Sequence, residues 1–409
     1  MQLLDSVRFA GLLIAGILLT GCATSPEPQL AEAWMEDVLN YEASLGSDHP
    51  DSMENLFKVS PEIRSEVINK FGRMPDYLAA RRMANWLVSK KGKAMTYDIE
   101  ANLQPLEAYS QNRGNCLSFT LLLIQLASEL GIELHANEVD LPDFWSENEE
   151  RDLILYRHVN AIYQSDRHKQ VFDLAIDEYS EGYPQRLVSR RQAAALLFSN
   201  IGIQKLQSGD SEQALHYLKL AVSMNPKSSD IWVNLAAALK RSAHPIRAEQ
   251  AYLYAIALDD RGSVAASNLE RLYRAQGRES QADKFKKLAL RARRKNPYIH
   301  FRKAQTAFKN QNYLSAKRSI RRAINLHNED PQFYAFRSLL RQVDENYLGA
   351  VRDLEKAHNM STSLEDRGRY ASKVDRVVAH VKEQAELQRK QNKRRDRFGN
   401  VRLEIPDSY

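Results

Sequence analysis

The chain has 409 residues, of which 43% are hydrophobic and 9% aromatic, and its formal net charge is +6. This composition is globular and excludes a disordered chain, and the length is too great for one ordinary core, so two or three domains are expected. Glycine and proline are sparse, at 16 and 13 residues, which favours a mostly helical protein.

The N-terminus carries an export pattern. Arg8 precedes an apolar segment, Phe9–Thr20, which is too short for a membrane-spanning helix and is typical of the apolar core of a secretory signal. The segment runs into Leu19-Thr20-Gly21-Cys22, which resembles the lipobox of bacterial lipoproteins. The resemblance implies cleavage before the cysteine, so that residues 1–21 are a signal peptide. A plain signal peptide or an uncleaved anchor is the alternative.

The same resemblance implies a location. Acylation of Cys22 would hold the protein on a membrane almost irreversibly, with residues 22–29 as a lipidated tether. Ala23 follows the cysteine, at a position where an aspartate would resemble an inner-membrane retention signal. We therefore expect a lipid-anchored protein of the bacterial cell envelope, on the outer membrane and facing the periplasm.

Residues 30–105 predict helices joined by polar connections. Ser60-Pro61-Glu62 is a helix start, with serine as the cap, proline at the first position and an acid in the first turn. Tyr77–Val88 has apolar residues at helical spacing. No catalytic pattern lies here, so this part is interpreted as the helical lead-in of a domain spanning 30–190.

Cys116 is the only cysteine left once Cys22 is lipidated. It stands at the start of an apolar run, Leu117–Leu130, which predicts a buried helix that ends at Gly131. The N-terminus of a helix carries positive partial charge and free N–H groups, and both favour a thiolate there. The cysteine is therefore either a reactive group or a buried packing residue.

Three candidate strands follow, over Glu133–Val139, Arg157–Tyr163 and Gln170–Ala175. His158 opens the second strand and Asp173 lies in the third. A short polar connection joins these two strands, which predicts an antiparallel pair that brings the two side chains onto adjacent strands. The rival histidines, His135 and His168, lack this context. Between the first two strands, Asp140–Leu155 is a long acidic loop of the kind that often lines a site.

Taken together, these segments resemble the transglutaminase-like superfamily of papain-type cysteine enzymes. The resemblance rests on Arg113–Ser118, Arg157–Tyr163 and Val171–Leu174, in this order and spacing. It implies an α+β domain and a Cys116–His158–Asp173 triad.

In that triad the cysteine attacks a carbonyl carbon, the histidine handles the proton and the aspartate orients the imidazole. The backbone N–H of Cys116 could donate to the oxyanion, and Gln111 is the nearest side-chain candidate for a second donor. No metal cluster and no glycine-rich nucleotide loop is visible in the sequence, so no cofactor is implied. Each triad residue alone would more often be structural, and such domains also occur without catalysis.

From about residue 195 the sequence repeats with a period of 34. Two alanine ladders keep this spacing, one at 214, 248, 282, 316 and 350 and the other at 221, 255, 289, 323 and 357. The pattern resembles the tetratricopeptide repeat, which is a pair of antiparallel helices per unit. It predicts an all-α solenoid of five repeats over 195–364, followed by a capping helix over about 365–395 and a basic tail within 365–409. Such arrays usually bind peptides or proteins.

Within the repeats, Lys284–Arg322 contains 14 lysines or arginines and no acidic residue. The stretch is either a solvated helical face or a docking surface for an anionic ligand. Nucleic acid would be the usual partner, but the export signal argues against it.

The sequence thus predicts an envelope lipoprotein with two activities. A cysteine site would act on amide bonds of a protein or peptide substrate, by hydrolysis or acyl transfer, and the repeats would bind protein. The alternative is a non-catalytic envelope scaffold that binds protein partners through the repeats.

Overall fold

The computed structural model describes residues 27–139, 145–147, 153–155, 158–166, 168–174, 185–259, 263–361 and 364–398. The signal peptide and the lipidated Cys22 predicted from the sequence lie outside these residues. The described chain forms two compact units, one ending at Lys295 and the other beginning at Asn296. This division does not test the functional domains predicted from the sequence, whose limits stay predictions.

The described chain opens with short helices. They are α1 (Glu27–Leu39), α2 (Tyr41–Leu45), α3 (Met53–Leu56), α4 (Pro61–Phe71) and α5 (Asp76–Val88). The start predicted for α4 is confirmed, because the Ser60 side chain accepts a hydrogen bond from the amide of Ile63 and Pro61 is the first helical residue.

The next segment positions the cysteine. It contains β1 (Thr96–Tyr97), α6 (Pro105–Gln111), β2 (Arg113–Gly114) and α7 (Cys116–Ser128). β1 and β2 pair in parallel. Every residue of α7 from Leu117 to Ala127 is buried, which agrees with the predominantly apolar sequence. The predicted stop is also present, because Gly131 has a φ of 72°, a left-handed conformation that glycine adopts readily.

The strands that follow are β3 (His135–Val139), β4 (Trp145–Glu147), β5 (Leu153–Leu155), β6 (His158–Gln164), β7 (Lys169–Phe172) and β8 (Gln185–Val188). Four of them form an antiparallel sheet in the order β7-β6-β3-β8. The sequence patterns predicted β3, β6 and β7 but not β8. The strand predicted over Gln170–Ala175 ends early, so Asp173 lies immediately beyond the strand.

Helix α7 packs against the sheet, chiefly on β6. The Thr120 hydroxyl donates to the carbonyl of Val159 at 3.1 Å, which ties the first turns of the helix to the strand. The loop Asp140–Leu155 predicted from the sequence is only partly described. Its described parts, β4 and β5, pair as an antiparallel hairpin.

Helical hairpins make up the rest of the first unit. They are α8 (Arg190–Gln207) with α9 (Ser211–Met224), α10 (Ser229–Arg241) with α11 (Pro245–Leu258), and α12 (Ser263–Ala275) with α13 (Glu279–Lys295). The core is continuous from the lead-in into these hairpins. For example, the Trp34 ring of α1 meets the Trp232 ring of α10 edge to face, with centroids 6.4 Å apart. The backbone of β5 also approaches α10 and α12.

The second unit continues the pattern. Its helices are α14 (Pro297–Lys309) with α15 (Tyr313–Leu326), α16 (Pro331–Val343) with α17 (Tyr347–Met360), and α18 (Leu364–Phe398), which packs on α17. The described residues therefore contain the five hairpins and the final helix that the 34-residue period predicts. No helix in the described part of the chain is long and apolar enough to cross a membrane.

The alanine ladders mark where paired helices touch. All ten alanines are buried, and the most exposed of them, Ala289, is only 5% exposed. A small side chain at these positions lets the helix backbones approach closely. The repeat region is thus an all-α array of tetratricopeptide-like hairpins, as the period predicted.

Candidate cysteine–histidine–aspartate site

Cys116 is the first residue of α7. Its predecessor, Asn115, is the N-cap, and the Asn115 side chain accepts hydrogen bonds from the amides of Leu117 and Ser118 at 3.1 and 2.9 Å. The cap therefore uses the second and third amides of the helix and not that of Cys116. The cysteine is partly exposed, whereas the helix behind it is buried. The residue is therefore partly accessible from solvent.

The start of α7 is held by the loop that precedes α6. The Asn115 amide group donates to the Asn102 side chain at 2.7 Å. The Ser118 hydroxyl accepts from the amide of Leu103 at 3.0 Å and donates to its carbonyl at 2.7 Å. Gly114 is packed closely, because a Cβ there would lie 2.9 Å from the Met95 side chain. These contacts fix the backbone on which Cys116 stands.

The side chains of His158 and Asp173 are in contact. The Nε2 atom of His158 lies 2.6 Å from Oδ2 of Asp173. Both side chains are buried, at 2% and 0% exposure. The contact forms because β6 and β7 are antiparallel neighbours and the residue after β7 falls beside the start of β6. A buried carboxylate needs such partners, since an unpaired one would be strongly destabilising.

His158 also interacts with Cys116, because the cysteine contributes to the raised pKa of the imidazole, and the three residues therefore lie in one site. Burial lowers the pKa of His158, but the hydrogen bonds and charges of Asp173 and Cys116 outweigh burial and raise that pKa to about 10. The imidazole beside Asp173 is therefore protonated at neutral pH.

A fourth polar residue completes the buried part of the site. Asn160 is fully buried and its side-chain amide donates to Oδ2 of Asp173 at 3.2 Å. Sequence reasoning assigned it no role, although it lies two residues after His158 and so shares a strand face with it. The His-x-Asn spacing on a predicted strand was the available signal.

Gln111, the predicted side-chain donor to the oxyanion, is placed differently. It is exposed at the last position of α6, and its side chain accepts a hydrogen bond from Arg113 at 3.5 Å. Within the described chain no hydrogen bond joins it to Cys116 or His158. The rival histidines are engaged elsewhere, since His168 stacks on Tyr77 with ring centroids 4.3 Å apart and His135 approaches Glu133.

The basic stretch Lys284–Arg322 runs over α13, α14 and α15. In the second unit, Arg302 and Lys303 line a cavity of about 400 Å³ together with polar residues of the α14–α15 hairpin, including Thr306, Asn312 and Ser315. Lys303 occupies a position that is usually leucine in such repeats, and the open polar cavity explains why a charged side chain is tolerated there.

Comparison with known proteins gives limited help. No family model matches the chain. No curated protein matches it either. Solved structures that resemble part of it include PilF of Pseudomonas aeruginosa, at 20% identity over 49% of this chain and 100% of that chain, with a TM-score of 0.25. A TPR protein from Thermus thermophilus is 20% identical over 44% of this chain and 97% of that chain, with a TM-score of 0.23.

The Cut9–Hcn1 hetero-tetramer of the APC/C is a further neighbour. The matched chain of that complex is 17% identical over 46% of this chain and 37% of its own length, with a TM-score of 0.25. Scores this low carry no argument about function. The assignment of the repeats rests on the helical hairpins, their period and their buried alanines.

Proposed function

We propose that the chain binds a protein or peptide through its repeats and acts on amide bonds of that partner through Cys116, His158 and Asp173. The observation that carries the catalytic part is the 2.6 Å contact between His158 and Asp173, supported by the effect of Cys116 on the pKa of His158. This arrangement has the nucleophile, proton carrier and orienting carboxylate of a transglutaminase-like site.

The proposed reaction begins with attack of the Cys116 sulfur on the carbonyl carbon, while the carbonyl π electrons move to its oxygen. The backbone N–H of Cys116, at the start of α7, is the candidate donor to that oxyanion. When the intermediate collapses, the C–N bond breaks and the imidazolium of His158 protonates the leaving amine. The product of this half is a thioester on Cys116.

The second half regenerates the enzyme. Water or an acceptor amine attacks the thioester, and neutral His158 takes its proton. The C–S bond then breaks, which restores the thiolate beside the imidazolium. Attack by water gives hydrolysis and attack by an amine gives acyl transfer. Asp173 and Asn160 stay in place and hold the imidazole in its orientation.

The direct test is thiol reactivity. Iodoacetamide should alkylate Cys116 rapidly at pH 7 in the proposed site, because a neighbouring imidazolium increases the reactivity of a cysteine. An unassisted thiol is only a few per cent thiolate at this pH, so His158→Ala should slow alkylation by about 10- to 30-fold. His168→Ala is the matched control and should leave the rate unchanged. Slow alkylation of Cys116 at a rate that His158→Ala does not change would contradict the catalytic proposal.

The second candidate function is a scaffold that binds partners without catalysis. The exposed position of Gln111 favours it, because the predicted second oxyanion donor is not beside the cysteine. Partner capture from an envelope extract separates the two. A substrate should be held longer by Cys116→Ser than by the parent, whereas a scaffold partner should be captured equally by both.

We also propose the cellular setting that the lipobox implies. The chain would be acylated on Cys22, anchored in the outer membrane and exposed to the periplasm. Mass spectrometry of the N-terminal peptide checks this directly. A peptide beginning at acylated Cys22 is expected, and a peptide that retains residues 1–21 would contradict it.

The basic stretch is proposed as the docking site of an anionic ligand, such as an acidic protein segment. Arg302 and Lys303 are the residues to change, because they line the cavity in the second unit. Reversing both charges to glutamate should abolish capture of the acidic partner at low salt. Reversal of Arg389 and Lys390, in the exposed distal part of α18, is the control. Equal losses from both variants would point to net charge alone.

A further inference from the structure

A second cluster of ionisable side chains lies in the first unit, outside the cysteine site. His49 and Asp51 come from the loop between α2 and α3, and His216 comes from α9. Each offers one ligand atom, and the three atoms lie within 4.8 Å of one another. The Nε2 atom of His216 is 3.2 Å from Oδ2 of Asp51, and Nδ1 of His49 is 3.8 Å from the same oxygen.

These distances suit a small divalent ion. Zinc binds nitrogen and oxygen at about 2.0–2.2 Å in tetrahedral geometry, which places donor atoms about 3.3 Å apart. The two distances to Asp51 bracket that value. Two imidazoles and one carboxylate are also a common ligand set for zinc, and three protein ligands leave the fourth position for water.

Neighbouring groups orient two of the three ligands. The Tyr41 hydroxyl lies 2.9 Å from Nδ1 of His216, which directs Nε2 of that ring toward Asp51. The Gln104 side chain donates to Oδ1 of Asp51 at 2.7 Å, which leaves Oδ2 for the other ligands. Outer partners of this kind set the tautomer and direction of metal ligands.

Metal binding by the third ligand, His49, requires that one of its hydrogen bonds be replaced. Nδ1 of His49 accepts a hydrogen bond from the amide of Asp51 at 3.2 Å. Binding through Nδ1 would replace that bond with a bond to the ion. The His49 side chain is 30% exposed, so it has room to turn and gives an ion a route into the cluster.

We propose that His49, Asp51 and His216 bind a zinc-like divalent ion. The ion fastens the loop after α2 to the second helix of the first repeat hairpin. Gln104, which contacts Asp51, is the N-cap of α6, two residues after Asn102, which holds the cap of the Cys116 helix. The site is thus structural, and it links the repeat array to the segment that supports the cysteine.

The test is zinc affinity of the full chain, measured by competition with a chromophoric chelator. The Cys116→Ser variant is the parent, so that the cysteine site does not contribute a thiolate. One zinc ion per chain is expected. His216→Gln should weaken binding by at least 100-fold, and Tyr41→Phe, which removes only the outer partner, by about 10-fold.

Two further variants keep the result interpretable. His244→Gln alters an exposed histidine in the turn before α11 and should bind zinc like the parent. His49→Ala changes the more exposed of the two histidine ligands, and truncation of an exposed side chain should leave the fold intact. A loss of zinc affinity in this variant therefore reports on metal binding and not on folding. Absence of one-to-one zinc binding in the parent would overturn the proposal. Unchanged affinity in both His216→Gln and His49→Ala would also overturn it, because the ion would then bind elsewhere.

Discussion

The sheet around His158 and the repeat hairpins bury different residues at their centres. At the sheet, a histidine, an asparagine and an aspartate are buried together and bonded to one another. In the hairpins, alanines at 34-residue intervals fill the helix contacts. Each buried polar group needs a particular partner, whereas a buried alanine needs only a close neighbour. Single substitutions should therefore have large effects on catalysis in the first region. In the second region, the free energy of unfolding should depend on many positions.

The largest expected effect is on catalysis. Asp173→Asn keeps the shape of the side chain but removes the charge that holds the imidazolium. In serine enzymes the equivalent change lowers turnover by about 10⁴-fold, and a loss of similar order is expected here. Hydrolysis of a captured substrate peptide measures it. Asn160→Ala, which removes one bond to the same carboxylate, should cost much less, and equal losses would contradict the assigned roles.

The next test is the titration of His158. Its imidazole should lose its proton near pH 10 instead of near pH 6.5, as followed by NMR of labelled histidine. Burial works against this shift, so bonding and charge from Asp173 and Cys116 must exceed it. Removing that carboxylate with Asp173→Ala should lower the midpoint. A midpoint at or below pH 6.5 in the unaltered protein would show that the three groups do not interact.

One of the repeats departs from this pattern, because it contains an ion pair with a buried carboxylate. Arg337 stands where such repeats usually carry leucine, and its guanidinium bonds to both oxygens of the buried Asp353, at 2.8 and 2.6 Å. Asp353→Ala leaves this arginine without its main partner and should destabilise the second unit by about 3 kcal/mol in urea unfolding. Replacing both residues by leucine should recover most of that loss. Continued instability of the double variant would show that the ion pair is not the cause.

The smallest expected effect concerns the turns inside the hairpins. One residue in each turn has positive φ, and these residues are 34 apart: Gly209, Ala243, Gly277, Gln311 and Glu345. The left-handed region costs a non-glycine residue about 1–2 kcal/mol. Ala243→Gly should therefore stabilise the first unit by about 0.5–1 kcal/mol, and Gly209→Ala should destabilise it by about 1 kcal/mol. Thermal unfolding checks both, and a loss of stability in Ala243→Gly would contradict this account.

The turn residues also show how far the sequence could be interpreted. Glycine is the expected residue at positive φ, so the sequence indicates this conformation only at Gly209 and Gly277. Ala243, Gln311 and Glu345 adopt the same conformation only because the helices on both sides are already paired. Local preference therefore identified part of the pattern, and packing imposed the rest.

The cysteine–histidine–aspartate site also has features that the sequence could predict and features that depend on packing. The positions of Cys116 at a helix start and of His158 at a strand start could be predicted by short-range rules, and a family resemblance suggested Asp173 as their partner. The distances among them, the burial of the carboxylate and the bond from Asn160 depend on how β6 and β7 pair. Proximity along the chain suggested Gln111 as a donor, but its position at the end of α6 leaves it exposed. Nearness in sequence does not fix the direction of a side chain.

The sequence by itself determined the helical repeat array and its period, because both depend on contacts between residues close in the chain. Only the tertiary structure brought His49, Asp51 and His216 together, because no periodic pattern connects a loop after α2 with a helix in the first repeat hairpin. Their convergence requires the lead-in segment to pack on that hairpin, which is a long-range hydrophobic contact that no local pattern encodes.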